Sequence, residues 1–273
     1  MAAPEESDLR GEGRNNMFNL NQGLWYYIVH TLNGGLQGWQ YILLTVSFAF
    51  IAMAAGYLLG SINSAIIISK VLYGDDIRRH GSGNAGLTNM LRTYGKKAAG
   101  LTLLGDLLKT VLAIVIGSIL GGFGYMGGIS VGALYCELPL NYMAGFFAVI
   151  GHILPIYYGF KGGKGVLCTA AMALVLTPVE FLILLAVFVL IVWWSKFVSL
   201  GSVTVAMLYP IAVTGHIRVI FNANGSQNGI MALITILLAI IIVYCHRENL
   251  KRISEGTERK LSFKSKKDGE GNK

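Results

Sequence analysis

The sequence predicts an all-α protein: a polytopic membrane helical bundle of about seven transmembrane helices, N-terminus outside and C-terminus cytoplasmic. Three observations predict it. The 273 residues are 54% hydrophobic and only 13% charged, with a mean hydropathy of +0.58. The apolar residues come in several long runs, and a hydrocarbon core about 30 Å thick needs about 20 apolar residues per helix. Finally, the basic residues gather on one set of loops, which gives the runs an orientation.

Residues 1–40 read as an N-terminal extension. A polar tail with Glu5, Glu6, Asp8 and Glu12 leads into the aromatic residues Trp25, Tyr26, Tyr27, Trp39 and Tyr41. That cluster suits the outer membrane–water boundary. The tail lacks the basic start of a signal peptide, so it is expected to be retained. The membrane domain follows over residues 41–262, with spans expected at 42–72, 98–119, 142–158, 165–177, 179–194, 198–214 and 230–245. The first is longer than one crossing requires and is expected to tilt or to project beyond the membrane. The fourth would extend only about 20 Å, so it reads as a short span or a re-entrant segment. Residues 263–273, rich in Lys, Gly and Glu, read as a disordered basic tail.

With the N-terminus outside, Lys70, Arg78, Arg79, Arg92, Lys96, Lys97, Lys161, Lys164, Lys196 and the segment from Arg247 onward share one side. The opposite side keeps Arg10, Arg14 and Arg218. The formal net charge of +8 is therefore concentrated on the cytoplasmic face, where anionic lipids and anionic metabolites lie. Without a soluble fold to present those residues to a groove, no nucleic-acid partner is expected. Cys136, Cys168 and Cys245 are scattered without metal-site or disulfide spacing. No metal and no cofactor are expected.

Three polar islands fall on that same face. The first runs from Asp75 to Arg92 and contains Gly81-Ser82-Gly83-Asn84-Ala85-Gly86. Its three glycines permit positive φ and can turn backbone N–H groups toward one anion. Ser82, Asn84, Thr88 and Asn89 add neutral donors, and Arg78, Arg79, His80 and Arg92 add positive charge. The spacing satisfies the dinucleotide fingerprint G-x-G-x-x-G, but the preceding segment is a membrane run rather than a strand, which removes that reading.

The second island is Lys161-Gly162-Gly163-Lys164-Gly165, at the start of the fourth run. It does not fit a Walker A loop, yet two ammonium groups beside a helix N-terminus favour a phosphate. The third is His246-Arg247-Glu248-Asn249, directly after the last run. His246 and Asn249 would share a helix face, and a histidine there can move a proton near neutral pH. Asp106 and Lys109, within the second run, are expected to pair on one helix face. His30, His152 and His216 are read as structural. Polar groups crowded at one face fit an interfacial enzyme better than a transporter, whose polar groups lie near the bilayer midplane.

At these islands the sequence resembles the acyl-phosphate-dependent glycerol-3-phosphate acyltransferase family, PlsY, of bacterial membranes. The resemblance is carried by Gly60-Ser61-Ile62, Asp76-Ile77-Arg78, His80-Gly81-Ser82-Gly83-Asn84, Thr88-Asn89-x-x-Arg92 and Asp106-x-x-Lys109. Gly151-His152, Phe160-Lys161-Gly162-Gly163-Lys164-Gly165-Val166, His246-Arg247-Glu248-Asn249 and Gly256-Thr257-Glu258 continue it. One departure is Asn63, which stands where a proline usually kinks the first span. The resemblance implies transfer of a fatty acyl group from acyl phosphate to glycerol 3-phosphate, giving 1-acylglycerol 3-phosphate (lysophosphatidic acid) and phosphate. It also implies location in the cell (inner) membrane with the site facing the cytoplasm.

The family likeness ties Ser82 and Arg92 to catalysis, and Gly162, Gly163 and Gly165 to binding of glycerol 3-phosphate. It places His246, Asn249 and Glu248 in a third motif, with His246 and Asn249 assigned to catalysis and Glu248 to substrate binding. Gly81, Gly83, Asn84, Gly86, Thr88, Asn89, Lys161 and Lys164 are expected to hold the two phosphates. An acyl phosphate is already activated, so direct attack by the glycerol hydroxyl is expected. The proton would go to His246 or to a substrate phosphate. The H-x-x-x-x-D box of acyl-CoA or acyl-carrier enzymes is absent. Membrane lipids and an acyl-phosphate-forming enzyme are the expected partners.

Overall fold

The computed structural model of the chain describes residues 23–31, 38–122, 138–221 and 226–261. Among these, every regular element is helical. Most of the polar N-terminal tail, the basic C-terminal tail and Cys136 lie outside the described residues, as do the side chains of His30, His216 and Arg218.

The long first run is two helices, α2 (Gly38–Ser61) and α3 (Ser64–Tyr73), preceded by the short α1 (Gly23–Thr31). The run still counts as one candidate span, Trp39–Tyr73, interrupted between the two helices. The break is made by Asn63 itself, extended at φ −90° and ψ 106°, whose side chain accepts the Ile66 N–H at 3.1 Å. An asparagine at this position satisfies one of the unpaired N–H groups at the start of the new helix. The same amide donates to the Ala85 carbonyl at 3.4 Å, so the break also grips the first polar island.

Beyond that island come α4 (Leu87–Tyr94) and α5 (Lys96–Gly121), separated by Gly95 at φ +84°. The chain continues through α6 (Leu140–Ile153), α7 (Val166–Leu176), α8 (Pro178–Ser195), α9 (Val198–Phe221), α10 (Ser226–Cys245) and α11 (Arg247–Ser254). Five of these segments, counting Trp39–Tyr73 as one, are long and apolar enough to cross a membrane. A sixth is reached if α10 and α11, bent by 53° at His246, are joined. The fourth expected run is α7, whose 11 residues extend only about 17 Å, roughly half a hydrocarbon core.

Lipid offers helices no hydrophobic reason to associate, so close backbone approach has to do the packing. On α2, any Cβ at Gly56 or Gly60 would collide with the Ala144 or Ala148 carbonyl of α6. Gly151 meets the Tyr57 carbonyl from the other side. Side chains such as Phe50, Leu182, Leu190 and Ile211 point outward, as a lipid-facing surface requires. The interior is filled by Ile114, Tyr142, Val149, Met172, Leu184, Tyr209, Val213, Ile234 and Leu238 from six helices. A second cluster (Ala65, Ile66, Ile77, Ala85, Met90 and Ala98) underlies the first polar island and holds it against α3 and α5.

Candidate active site

The first island folds into a loop organised by one buried side chain. The Asn89 amide nitrogen donates to the carbonyls of Ile77, His80 and Asn84 at 3.3, 2.9 and 3.0 Å, and its oxygen accepts the Ser82 N–H at 3.1 Å. With all its hydrogen-bonding capacity engaged in the loop, Asn89 shapes the site. Gly81 and Gly83 adopt φ +60° and +69°, but Gly86 is extended at −162° and caps α4 instead. Positive φ at all three glycines was expected and holds for two.

Arg78 and His80 do not supply the cavity's charge. Arg78 is paired with Asp76 at 2.7 Å and holds that carboxyl down at about 2 through their hydrogen bond. Its guanidinium also donates to the carbonyls of Tyr158 and Lys161 at 2.8 and 3.3 Å, stapling the first island to the second. His80 pairs with Asp75. Arg92 does line the cavity, and donates to the Arg259 carbonyl at 3.2 Å.

In the second island the N–H groups of Gly162 and Gly163 are taken by the carbonyls of Ile153 and His152, at 3.2 and 3.1 Å. A Cβ at either position would strike His152. These two glycines are therefore needed for close approach to α6, and their N–H groups are not open to an anion. Gly83 and Lys161 likewise lie off the cavity lining, with the Lys161 side chain exposed. Lys164 and Gly165 do reach it. Gly165, at φ +79°, starts α7, so the N-termini of α4 and α7 open on one space and neither carries a side-chain cap.

The third island completes the ring. Asn249 accepts from the Lys164 ammonium and donates to Ser199 Oγ at 2.9 Å and to Glu258 Oε1 at 2.7 Å. Glu258 also accepts from Ser199 Oγ at 2.8 Å and from Arg252 Nε at 2.7 Å. Burial works against its charge, yet these hydrogen bonds hold its carboxyl below the usual range. Burial, reinforced by the Arg252 charge, pushes Lys164 down to about 8. His246 lies buried past the end of α10, and burial pushes it down to about 4. Its Nδ1 is 2.8 Å from the Ile242 carbonyl, which can only accept, so Nδ1 carries the proton and Nε2 is left as the acceptor.

Glu248 does not join the site. It is exposed on α11, 3.9 Å from Arg247, because the face of α11 that carries Asn249 turns it outward. The acidic group that meets Asn249 is Glu258, which carried no assigned role in the sequence reading. It lies in the turn after α11, where helical spacing no longer points to a partner. Ser199, on α9, was missed because only the fold brings it to Asn249 and Glu258, and Arg252 was left without a role because its partner Glu258 had none.

These residues ring the mouth of a cavity of about 700 Å³. Gly81, Ser82, Asn84, Gly86, Thr88, Asn89, Arg92, Lys164, Gly165, His246 and Asn249 all line it. Away from the islands the lining is mostly apolar, with Leu107, Ala173, Leu184 and Ala206, although Asp106, His152 and Thr169 line it too. Asp106 and Lys109 pair at 2.8 Å as expected, and Lys109 is also 2.9 Å from His152 Nδ1 and from the Ile62 carbonyl. Asp106, His152 and Cys168 could each offer one ligand atom to a metal. The Lys109 ammonium already supplies the cation there. The arrangement can hold an anionic head group at the rim and an apolar chain below.

A family model described as "Glycerol-3-phosphate acyltransferase" matches residues 50–256. The chain is similar to the glycerol-3-phosphate acyltransferase of Clostridioides difficile (strain 630), 40% identical over 218 residues, covering 80% of this chain and 97% of that one. It is also similar to that of Syntrophomonas wolfei subsp. wolfei, 41% identical over 209 residues, covering 77% and 95%. Among solved structures it resembles PlsY (YgiH), an integral membrane glycerol 3-phosphate acyltransferase, in its glycerol 3-phosphate form. That match has a TM-score of 0.62 and 31% identity, covering 78% of this chain and 96% of that one. The lysophosphatidic acid form of the same protein matches with a TM-score of 0.61.

Proposed function

The chain belongs to the glycerol-3-phosphate acyltransferase family, and from that premise we propose that it takes its acyl group from acyl phosphate. The products would be 1-acylglycerol 3-phosphate and inorganic phosphate. The observation that carries this reading is the cavity itself. Lys164 and Arg92 stand with two uncapped helix N-termini at a polar mouth, above an apolar interior.

An acyl phosphate has a phosphate on the carbonyl as its leaving group, so the protein has to position two anions and stabilise an oxyanion. Lys164, held by Asn249, and the α7 N-terminus offer one phosphate site. Arg92, Ser82 and the α4 N-terminus offer the other. The glycerol hydroxyl attacks the carbonyl carbon, the carbon–oxygen bond to phosphate breaks, and no acyl-enzyme forms. His246, at about 4, is a weak base, whereas a phosphate monoester takes its second proton near pH 6. The depressed histidine therefore favours a substrate phosphate oxygen as proton acceptor, with His246 Nε2 orienting the hydroxyl. Ser82 acts as a hydrogen-bond donor, and Gly83, Gly162, Gly163, Asn89 and Arg78 as shaping residues.

The protein is a multi-pass membrane protein. The one-sided Lys and Arg distribution supports a cytoplasmic site in the bacterial inner membrane. Because acyl phosphates hydrolyse readily, the donor would come from an enzyme that forms them close by. Phosphate release from palmitoyl phosphate, measured with and without glycerol 3-phosphate, tests the reading. Release that requires glycerol 3-phosphate is expected, and its absence from folded protein would overturn the donor assignment.

A further inference from the structure

We propose that the apolar arm of the cavity is an acyl-chain slot whose floor, formed by Tyr209 backed by Thr177, selects the length of the transferred chain. The inference rests on the acyl-phosphate reading above.

Two helices measure the slot independently. On α9, beyond Val198 at its start, the residues lining the cavity are Ser199, Ser202, Val205, Ala206 and Tyr209, one helix face changing from hydroxyl to apolar. Ser199 is fixed at the mouth by Asn249 and Glu258. Tyr209, ten residues further along, lies about 15 Å deeper. On α7 the lining begins at Gly165 and runs through Ala170 and Ala173. That helix ends at Leu176, about 17 Å from its start.

The two ends meet. Thr177 Oγ1 is 3.2 Å from Tyr209 Oη, and the same hydroxyl donates to the Ala173 carbonyl at 3.2 Å. Directly after it, Pro178 opens α8, so the α7–α8 turn closes the floor. Beyond Tyr209 the interior is packed solid: Val213, Met231, Ile234 and Leu238 are buried against it, and none of them lines the cavity. Ala170, Ala173 and Ala206 leave the slot open along its length, because larger side chains at those positions would fill it.

A slot with a hard floor discriminates by methylene count, since a chain that overruns must either bend or displace packed atoms. The test uses two variants with opposite effects and dodecanoyl to octadecanoyl phosphates. For Tyr209→Ala, the ratio of kcat/KM for octadecanoyl over tetradecanoyl phosphate should rise by about tenfold. For Ala206→Leu the same ratio should fall by about as much, with KM for glycerol 3-phosphate unchanged in both. A ratio within twofold of the parent protein in both variants overturns the slot.

Thermal stabilisation of the detergent-solubilised protein by the same donor series provides a readout independent of turnover. If no donor supports turnover but the chain length giving the largest Tm rise still moves with the two variants, the slot stands and the donor assignment falls. If that length does not move, the slot falls, whatever the activity.

Discussion

At the residue scale the site turns on the protonation of Lys164. Burial brings it to about 8, so it is charged below that pH and loses its proton above it. Taken as the partner of the glycerol 3-phosphate group, it should therefore leave KM for glycerol 3-phosphate flat from about pH 7, where that phosphate is already doubly charged, to about pH 7.5. KM should then rise by up to about tenfold per pH unit once the ammonium is lost. Lys164→Ala should cost about 10²-fold or more in kcat/KM, the usual loss for one partner of a buried charged hydrogen bond, and should abolish the alkaline dependence. His246 makes the opposite prediction. With its own titration near 4, the acid limb of kcat should sit near pH 6, where the phosphate titrates. That limb should survive in His246→Gln at reduced kcat. Its disappearance would return the proton to the imidazole.

The two glutamates give a second residue-scale contrast. Glu248→Gln should change kcat/KM by less than twofold, because the side chain faces solvent. Glu258→Gln should lower it by about tenfold or more, because Asn249, Arg252 and Ser199 all converge on that carboxylate. Steady-state kinetics of the pair separates the assignments.

At the element scale the three polar islands were legible because each is a short polar interruption between apolar runs. Which of their side chains face inward was not. Lys161 and Lys164 look equivalent in a glycine-rich string, and only the turn of the backbone onto α6 sends one outward and the other into the cavity. The broken first span was hidden for a related reason. A proline would have announced the break, whereas Asn63 makes it through a cap visible only in three dimensions. The Arg78 staple was equally silent in the sequence, since its acceptors are carbonyls some 80 residues away. Arg78→Ala should free one island from the other. A lower Tm in detergent, by about 1–3 kcal/mol of stability, and a raised KM for glycerol 3-phosphate are the expected outcomes.

At the scale of the whole molecule, long apolar runs announce a helical membrane bundle, but not its span number: seven runs were expected, and among the described residues five segments, or six with α10 and α11 joined, are long and apolar enough to cross. The short α7 was visible as a short run, but its purpose was not. Only the contact of Thr177, just past its end, with Tyr209 of α9 gives that half-length helix the floor proposed above. The proposed orientation is testable through Lys161→Cys, whose exposed position should label with an impermeant thiol reagent in inverted but not in right-side-out vesicles.

A cavity with a polar rim and an apolar interior also changes what concentration means for this protein. One substrate arrives by diffusion in three dimensions, the other within a two-dimensional fluid. The rate should therefore obey bulk molarity for glycerol 3-phosphate but mole fraction for the acyl donor. Adding inert phospholipid to vesicles at constant total donor should slow turnover in proportion to the dilution, while leaving the glycerol 3-phosphate dependence untouched.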